Sequence, residues 1–266
     1  MKRIIGFLAI AIILAAALFF NFKGSYIPRV TDGNLPQAHP EVLDSFSEFK
    51  ASDIEKIIRE NERIRFEQLG GSTKKQIADT LDKLKKGETN LRKVFSNTYF
   101  VGDSLMNGLE VYGILNPDRL VTQVSASLYH LSSNVNKIIS ANPRVIILHY
   151  GINMISTEKA DRDSFINQYT SLIGKLKKAL PDSRIIVSGL FPVDRTVATE
   201  ARFGQVGAYN KVLITMCEKL GVEFLDSTEM MKSCKDYYGG DGIHLSAGFY
   251  SDKWLPFIVE SKGIIG

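Results

Sequence analysis

Arg144-Val145-Ile146-Ile147-Leu148-His149-Tyr150-Gly151-Ile152-Asn153 is the stretch that sets the architecture. Val145 to Leu148 is continuously apolar instead of alternating, the pattern of a strand covered on both faces. Gly151 ends the run and opens a loop. Counting Val145–Tyr150 as one strand, runs of the same kind recur at Thr98–Val101, Leu120–Val124, Ile185–Leu190 and Val222–Leu225. Helical periodicity lies between them, near 128–140, 159–179, 205–220 and 246–262. Strand–helix alternation predicts an α/β domain with a central parallel sheet between two helical layers. In such a sheet, sites gather where the chain leaves the carboxyl ends of the strands.

Outward from this core the chain divides into three parts, at 1–23, 24–95 and 96–266. Met1-Lys2-Arg3 precedes Ile4–Phe20, an uncharged apolar run. Such a run is a secretory signal or a short membrane helix. Ala15-Ala16-Ala17 offers a cleavage site, but Leu18, Phe19, Phe20 and Phe22 continue the apolar run, so an uncleaved anchor is the favoured reading. It places a single-pass chain in the cell membrane with everything after residue 23 outside the cytoplasm; a secreted, cleaved form is the alternative. Pro28, Pro36 and Pro40 mark residues 24–40 as linker. Residues 41–95 read as a charged helical stalk. One helix starts at the capping box Ser52-Asp53-Ile54-Glu55 and stops at Gly70-Gly71; a second starts at Ser72-Thr73 with Ile77, Leu81 and Leu84 on one face. The stalk is either a spacer packed on the domain or a surface for a membrane partner protein.

Of the 266 residues, 44% are apolar and 23% charged, which fits a globular chain. A net charge of +4, spread along the sequence, gives no nucleic-acid footprint. Two cysteines exclude a disulfide-dense scaffold and a four-cysteine zinc site. Cys217 falls on the apolar face of the 205–220 helix and reads as a core thiol; a pairing with Cys234 stays open.

Three strand exits carry chemistry. Gly102-Asp103-Ser104-Leu105 follows the first strand, where a tight turn lifts a serine hydroxyl above the sheet. Gly151-Ile152-Asn153 follows the third, placing an amide NH2 where it can meet a developing oxyanion. Asp241-Gly242-Ile243-His244 precedes the last helix. A histidine takes a serine proton, and a carboxylate three residues away can fix its tautomer. Of the other histidines, His39 lies in the linker, His130 in the first turn of a helix and His149 inside a strand.

Together these blocks resemble the SGNH hydrolase superfamily, the GDSL-type esterases, lipases and acyltransferases, over roughly residues 96–262. The resemblance implies a flavodoxin-like three-layer α/β/α domain and a catalytic triad of Ser104, His244 and Asp241. It implies an oxyanion hole from the Ser104 N–H, the Asn153 side chain and one more backbone N–H. The family supplies that last donor from a glycine. Here the stretch reads Val124-Ser125-Ala126-Ser127, and Ala126 is the aligned residue; Met154 stands where aspartate is usual. Gly102, Asp103 and Gly151 support the motifs. No metal and no cofactor is implied. Arg195, Arg202, Phe203, Tyr237 and Tyr238 either line a carbohydrate or acyl site or are ordinary loop surface.

The function expected is that of an extracytoplasmic serine esterase removing acetyl or other small acyl groups. Its partners are then an acylated glycan of the cell envelope or another ester, and the membrane through the N-terminal helix, with no nucleic acid. An O-acyltransferase with the same triad, a long-chain lipase or thioesterase, and an inactive glycan-binding module are the alternatives, the last resting on Ala126 and Met154.

Overall fold

The computed structural model describes residues 71–266; the expected membrane helix, the linker and the helical stretch at 52–70 lie outside the described residues. In chain order the elements are α1 (Gly71–Lys85), α2 (Leu91–Val94), β1 (Thr98–Gly102), α3 (Ser104–Val111), β2 (Leu120–Thr122), α4 (Leu128–Ala141) and β3 (Val145–His149). Then come α5 (Lys159–Ala179), β4 (Arg184–Ser188), α6 (Val206–Leu220), β5 (Glu223–Leu225), α7 (Thr228–Met231) and α8 (Leu255–Lys262). All five strands are parallel, in the order β2-β1-β3-β4-β5. This is the order of a flavodoxin-like sheet.

β3 occupies the centre, and all five of its residues are buried, as its unbroken apolar run requires. The helices α4, α5 and α6 pack side by side. Ile77 on α1 is buried, Leu81 and Leu84 pack against the core, and α1 contacts α8. That apolar stripe is therefore covered from within the chain. Cys217 and Cys234 are free and buried. Burial pushes the Cys217 thiol up to about 12, so it is inert at neutral pH.

Several strands are shorter than their apolar runs, because the chain bends into loops at the carboxyl ends. The Gln123 N–H donates to Gly102 O at 3.2 Å, and the Gly189 N–H to Leu225 O at 3.0 Å, as the strands run out. The helix expected over 246–262 is also interrupted. Phe249–Trp254 is a π-helix, with the Leu255 N–H donating to Tyr250 O five residues back, and α8 follows. Pro256 explains the change. It offers no N–H to the carbonyl of Asp252, and its ring crowds that carbonyl out of α-helical geometry.

The wide turn aims Phe249, Tyr250 and Trp254 into the core together. Trp254 meets Phe100 edge-on at 6.0 Å and Phe191 at 5.5 Å, and Phe191 meets Phe249 at 5.3 Å. Trp254 is fully buried. Trp254→Ala is expected to cost ~3–5 kcal/mol, from lost transfer energy plus an unfilled cavity. Urea unfolding reads this as a lower midpoint at unchanged slope; an unmoved midpoint would mean that the cluster does not hold this layer.

Candidate active site

The sheet order reverses between β1 and β3, and Ser104 and Asn153 emerge on the two sides of that point. Ser104 is the first residue of α3, with Asp103 as its N-cap. Asp103 Oδ1 accepts the Leu105 N–H at 3.1 Å, and the Asp103 N–H donates to His149 O at 3.3 Å. The first bond caps α3, and the second ties the Ser104 turn to β3. Gly102 is required by close approach, since a Cβ there would meet His149 O at 2.5 Å.

The second half of the site is a turn before the last helix. Asp241 Oδ1 accepts the N–H groups of Ile243 and His244, both at 2.9 Å. Asp241 Oδ2 accepts from His244 Nδ1 at 2.5 Å. His244 Nε2 lies 3.0 Å from Ser104 Oγ, closing a contact 140 residues apart in sequence. Gly242 sits at φ +68°, and the Asp194 N–H donates to its carbonyl at 2.8 Å, which ties the turn to the loop after β4. Partial burial opposes ionisation of Asp241, but the bond from the His244 side chain and the two backbone N–H groups prevail, and its pKa falls from 3.8 to about 2. The carboxylate is thus ionised at working pH and holds the proton on Nδ1. Nε2 is left as the acceptor facing the serine hydroxyl.

The three expected oxyanion donors fare differently. As the first residue of α3, Ser104 has an N–H with no acceptor inside the helix. Asn153 Nδ2 donates to Ala126 O at 3.0 Å, which fixes the amide and leaves its second hydrogen unengaged. Ala126 does not supply the third donor, because its own N–H is spent on Gln123 O at 3.2 Å. Ser125 is the residue in left-handed backbone, at φ 57°, and its N–H meets no acceptor among the described residues. Left-handed backbone costs a non-glycine residue ~1–2 kcal/mol. Ser125→Gly should therefore preserve turnover and leave stability level or up to ~1 kcal/mol higher after the glycine's extra unfolded entropy. Ser125→Val should lower kcat. A glycine variant that melts several degrees lower would show that the serine side chain, not the backbone, is what the position needs.

Met154, at the place of the usual aspartate, turns its Sδ to the Leu128 N–H at 3.3 Å, at the start of α4. His149 is fully buried with Nδ1 3.2 Å from Ser188 Oγ, and burial pushes its pKa to about 3. It is a neutral packing residue. His130 Nδ1 lies 2.7 Å from the Tyr150 hydroxyl. Neither belongs to the proton shuttle.

The residues proposed for the rim are held in loop contacts, and two of them, Arg195 and Phe203, also line a crevice beside Pro192. Phe203 is 3% exposed, beneath the Arg202 guanidinium at 4.4 Å. Arg195 donates to the carbonyls of Ala198, Thr199 and Glu200. The Tyr238 hydroxyl donates to Pro192 O, and Tyr237 packs edge-on against Phe249. The exposed apolar groups flanking the Ser125–Ser127 loop are Val124 and Tyr129, 63% and 80% exposed. Their chain position, bracketing the odd Ser-Ala-Ser loop, was the available sequence signal.

A serine, histidine and carboxylate aligned at the carboxyl edge of a parallel sheet is the arrangement of serine hydrolases. Residues 100–251, more than half of the chain, match the GDSL-like lipase/acylhydrolase family. The chain belongs to that family. Among solved structures it is similar to a protein from Parabacteroides merdae described as a GDSL-like lipase, with 15% identity and a TM-score of 0.51 over 63% of this chain and 95% of that one. It is also similar to the lipase/acylhydrolase of Enterococcus faecalis, with 14% identity and a TM-score of 0.49 over 64% and 95%. An acetylxylan esterase from Geobacillus stearothermophilus aligns with 15% identity and a TM-score of 0.45 over 62% and 93%. Identities of this size speak to fold alone. No curated protein sequence matches the chain.

Proposed function

We propose that the domain is an extracytoplasmic esterase that removes small acyl groups, acetyl foremost, from a cell-envelope glycan. Ser104 is the nucleophile, His244 the general base and acid, and Asp241 the residue that orients it. The observation that carries this reading is the unbroken chain from Asp241 Oδ2 through His244 to Ser104 Oγ, at 2.5 Å and 3.0 Å.

Ser104 Oγ attacks the ester carbonyl carbon while its proton passes to Nε2. The carbonyl oxygen becomes an oxyanion facing the N–H groups of Ser104 and Ser125 and the unengaged hydrogen of Asn153. Collapse breaks the bond to the sugar oxygen, which takes the proton from Nε2 and leaves as a hydroxyl. Water then gives a proton to Nε2 and its oxygen to the acyl carbon, releasing the acid and restoring Ser104.

A small acyl group is favoured by the openness of the triad. The side chains of His244 and Asp241 are 50% and 49% exposed. The neighbouring crevice of about 330 Å³, between Pro192, Phe203, Val206 and Asp226, is lined by none of Ser104, Asn153 or His244. Tyr129 offers an exposed ring beside the oxyanion loop, the type of surface on which a sugar can stack. The outward location rests on the basic Met1-Lys2-Arg3 and the apolar run that follows them.

The test is product release from esters of increasing acyl length and from an acetylated glycan, with and without a free glycan acceptor. Acetate release with kcat/KM falling as the chain lengthens is expected. Preference for long acyl esters would overturn the small-acyl reading, and acyl transfer that outpaces hydrolysis on adding acceptor would make the enzyme a transferase.

A further inference from the structure

Directly beneath the nucleophile lies a carboxyl group that the reaction described above does not use. Asp103 has no solvent exposure. Oδ1 accepts the Leu105 N–H, while Oδ2 is buried and accepts no hydrogen bond within 3.5 Å among the described residues, the Gly151 N–H being a more distant favourable group. A helix N-cap needs one acceptor oxygen, which asparagine or serine supplies as well as aspartate. Capping therefore accounts for Oδ1 and leaves the charge on this residue unexplained. A buried, half-satisfied carboxylate destabilises a fold, and such groups gather where chemistry needs them.

The groups around Asp103 show what its charge can act on. The N–H groups of Leu105 and Gly151 and the imidazole of His244 all favour its ionised form. Burial raises the phenol pKa values of Tyr150 at β3's exit, Tyr169 on α5 and Tyr250 in the π-helix, and the charge of Asp103 adds to each. Two of these phenols are turned to other partners, Tyr150 to His130 and Tyr250 to Leu105 O at 2.6 Å. Among the described groups that act on Asp103, His244 is the one that becomes cationic in the proposed turnover.

Resting on the triad reading, we infer that Asp103 is a positioning residue whose buried carboxylate holds the Ser104 turn and stabilises the imidazolium formed on His244. Burial raises its pKa from 3.8 to about 7, opposed by the Leu105 and Gly151 N–H groups and by His244. Its contribution then switches on as pH rises through neutrality. The stability effect runs the other way. A carboxyl with a raised folded-state pKa holds its proton in the native protein, so stability present below the unfolded pKa is lost as pH rises through about 7.

The experiment compares full-length wild type with Asp103→Asn, which keeps the cap and the volume, in kcat and KM from pH 5.5 to 9 and in Tm over the same range. The ratio of wild-type to variant kcat should be near one at the acid end. It should rise to roughly tenfold above pH 8, the effect of about one pKa unit of charge interaction, with KM unchanged. The Tm of the variant should gain on wild type as pH increases. Asp103→Ser, which also caps, should show the same kcat trend if the asparagine variant fails to fold. A kcat ratio that is flat with pH, or that falls, overturns the inference while leaving the triad standing. An inactive, well-folded wild type overturns both.

Discussion

Replacing Ser104 by alanine is expected to lower kcat/KM on a simple ester by ~10⁴-fold or more with little change in Tm. Removal of a triad nucleophile leaves only what the oxyanion donors and binding supply. The fold has no stake in the hydroxyl. Its hydrogen-bond partner is the half-exposed His244, and α3 is capped by Asp103. Steady-state kinetics with a parallel thermal melt checks both halves. Wild-type turnover in the alanine variant would place the chemistry on another residue.

The second large effect belongs to Asp241. Asparagine in its place keeps Oδ1 for the Ile243 and His244 N–H groups, so the turn persists. At Oδ2 it presents an NH2 to Nδ1, which drives the imidazole to the tautomer carrying its proton on Nε2. That nitrogen then donates to Ser104 Oγ and cannot accept from it. A loss of ~10⁴ in kcat near neutral pH is expected, with substrate KM little altered. The stability difference between the two should vary with pH only in acid. A carboxylate whose pKa falls to about 2 contributes stability above its unfolded value near 3.8, lost as pH falls through about 2. Wild type and variant should therefore differ most above pH 4, converge as pH falls below that, and melt alike only once pH is below about 2. An Asp241→Asn enzyme with undiminished kcat would show that His244 needs no orienting carboxylate.

The sequence made the sheet and the grouping of Ser104, His244 and Asp241 legible for one reason. Each carrier of the chemistry is a short local motif at a strand exit, and a parallel sheet brings such exits to one edge. Ser104 and His244 meet across 140 residues because β1 and the last turn end on the same side. What stayed hidden depends on tertiary contacts. Ala126 looks like a free donor in the sequence, but its N–H closes a turn on Gln123 and its carbonyl takes the Asn153 amide. The left-handed backbone falls one residue earlier, on Ser125. Phe203 reads equally as site lining or loop surface, and it is buried beneath the Arg202 guanidinium. The π-turn in the last helix follows from Pro256 acting on a carbonyl four residues back, which a period count does not register. The burial of Asp103 is likewise invisible in a Gly-Asp-Ser turn.

These points bear on the shape of the mouth more than on the reaction. Met154 and Ala126 depart from the usual family pattern, but each has a structural place. The methionine sulfur takes the Leu128 N–H at the start of α4, and Ala126 braces Asn153. In the proposed mechanism the donors for the oxyanion are backbone and amide groups that need neither the family's aspartate nor its glycine.

The most direct test of the central claim is fluorophosphonate labelling of the full-length protein beside its Ser104→Ala variant, with the adduct mapped by peptide mass. An activated serine predicts one adduct per wild-type chain, on the peptide carrying Ser104, and none in the variant. A folded wild type that takes no label, or a label that survives the loss of Ser104, would contradict the account.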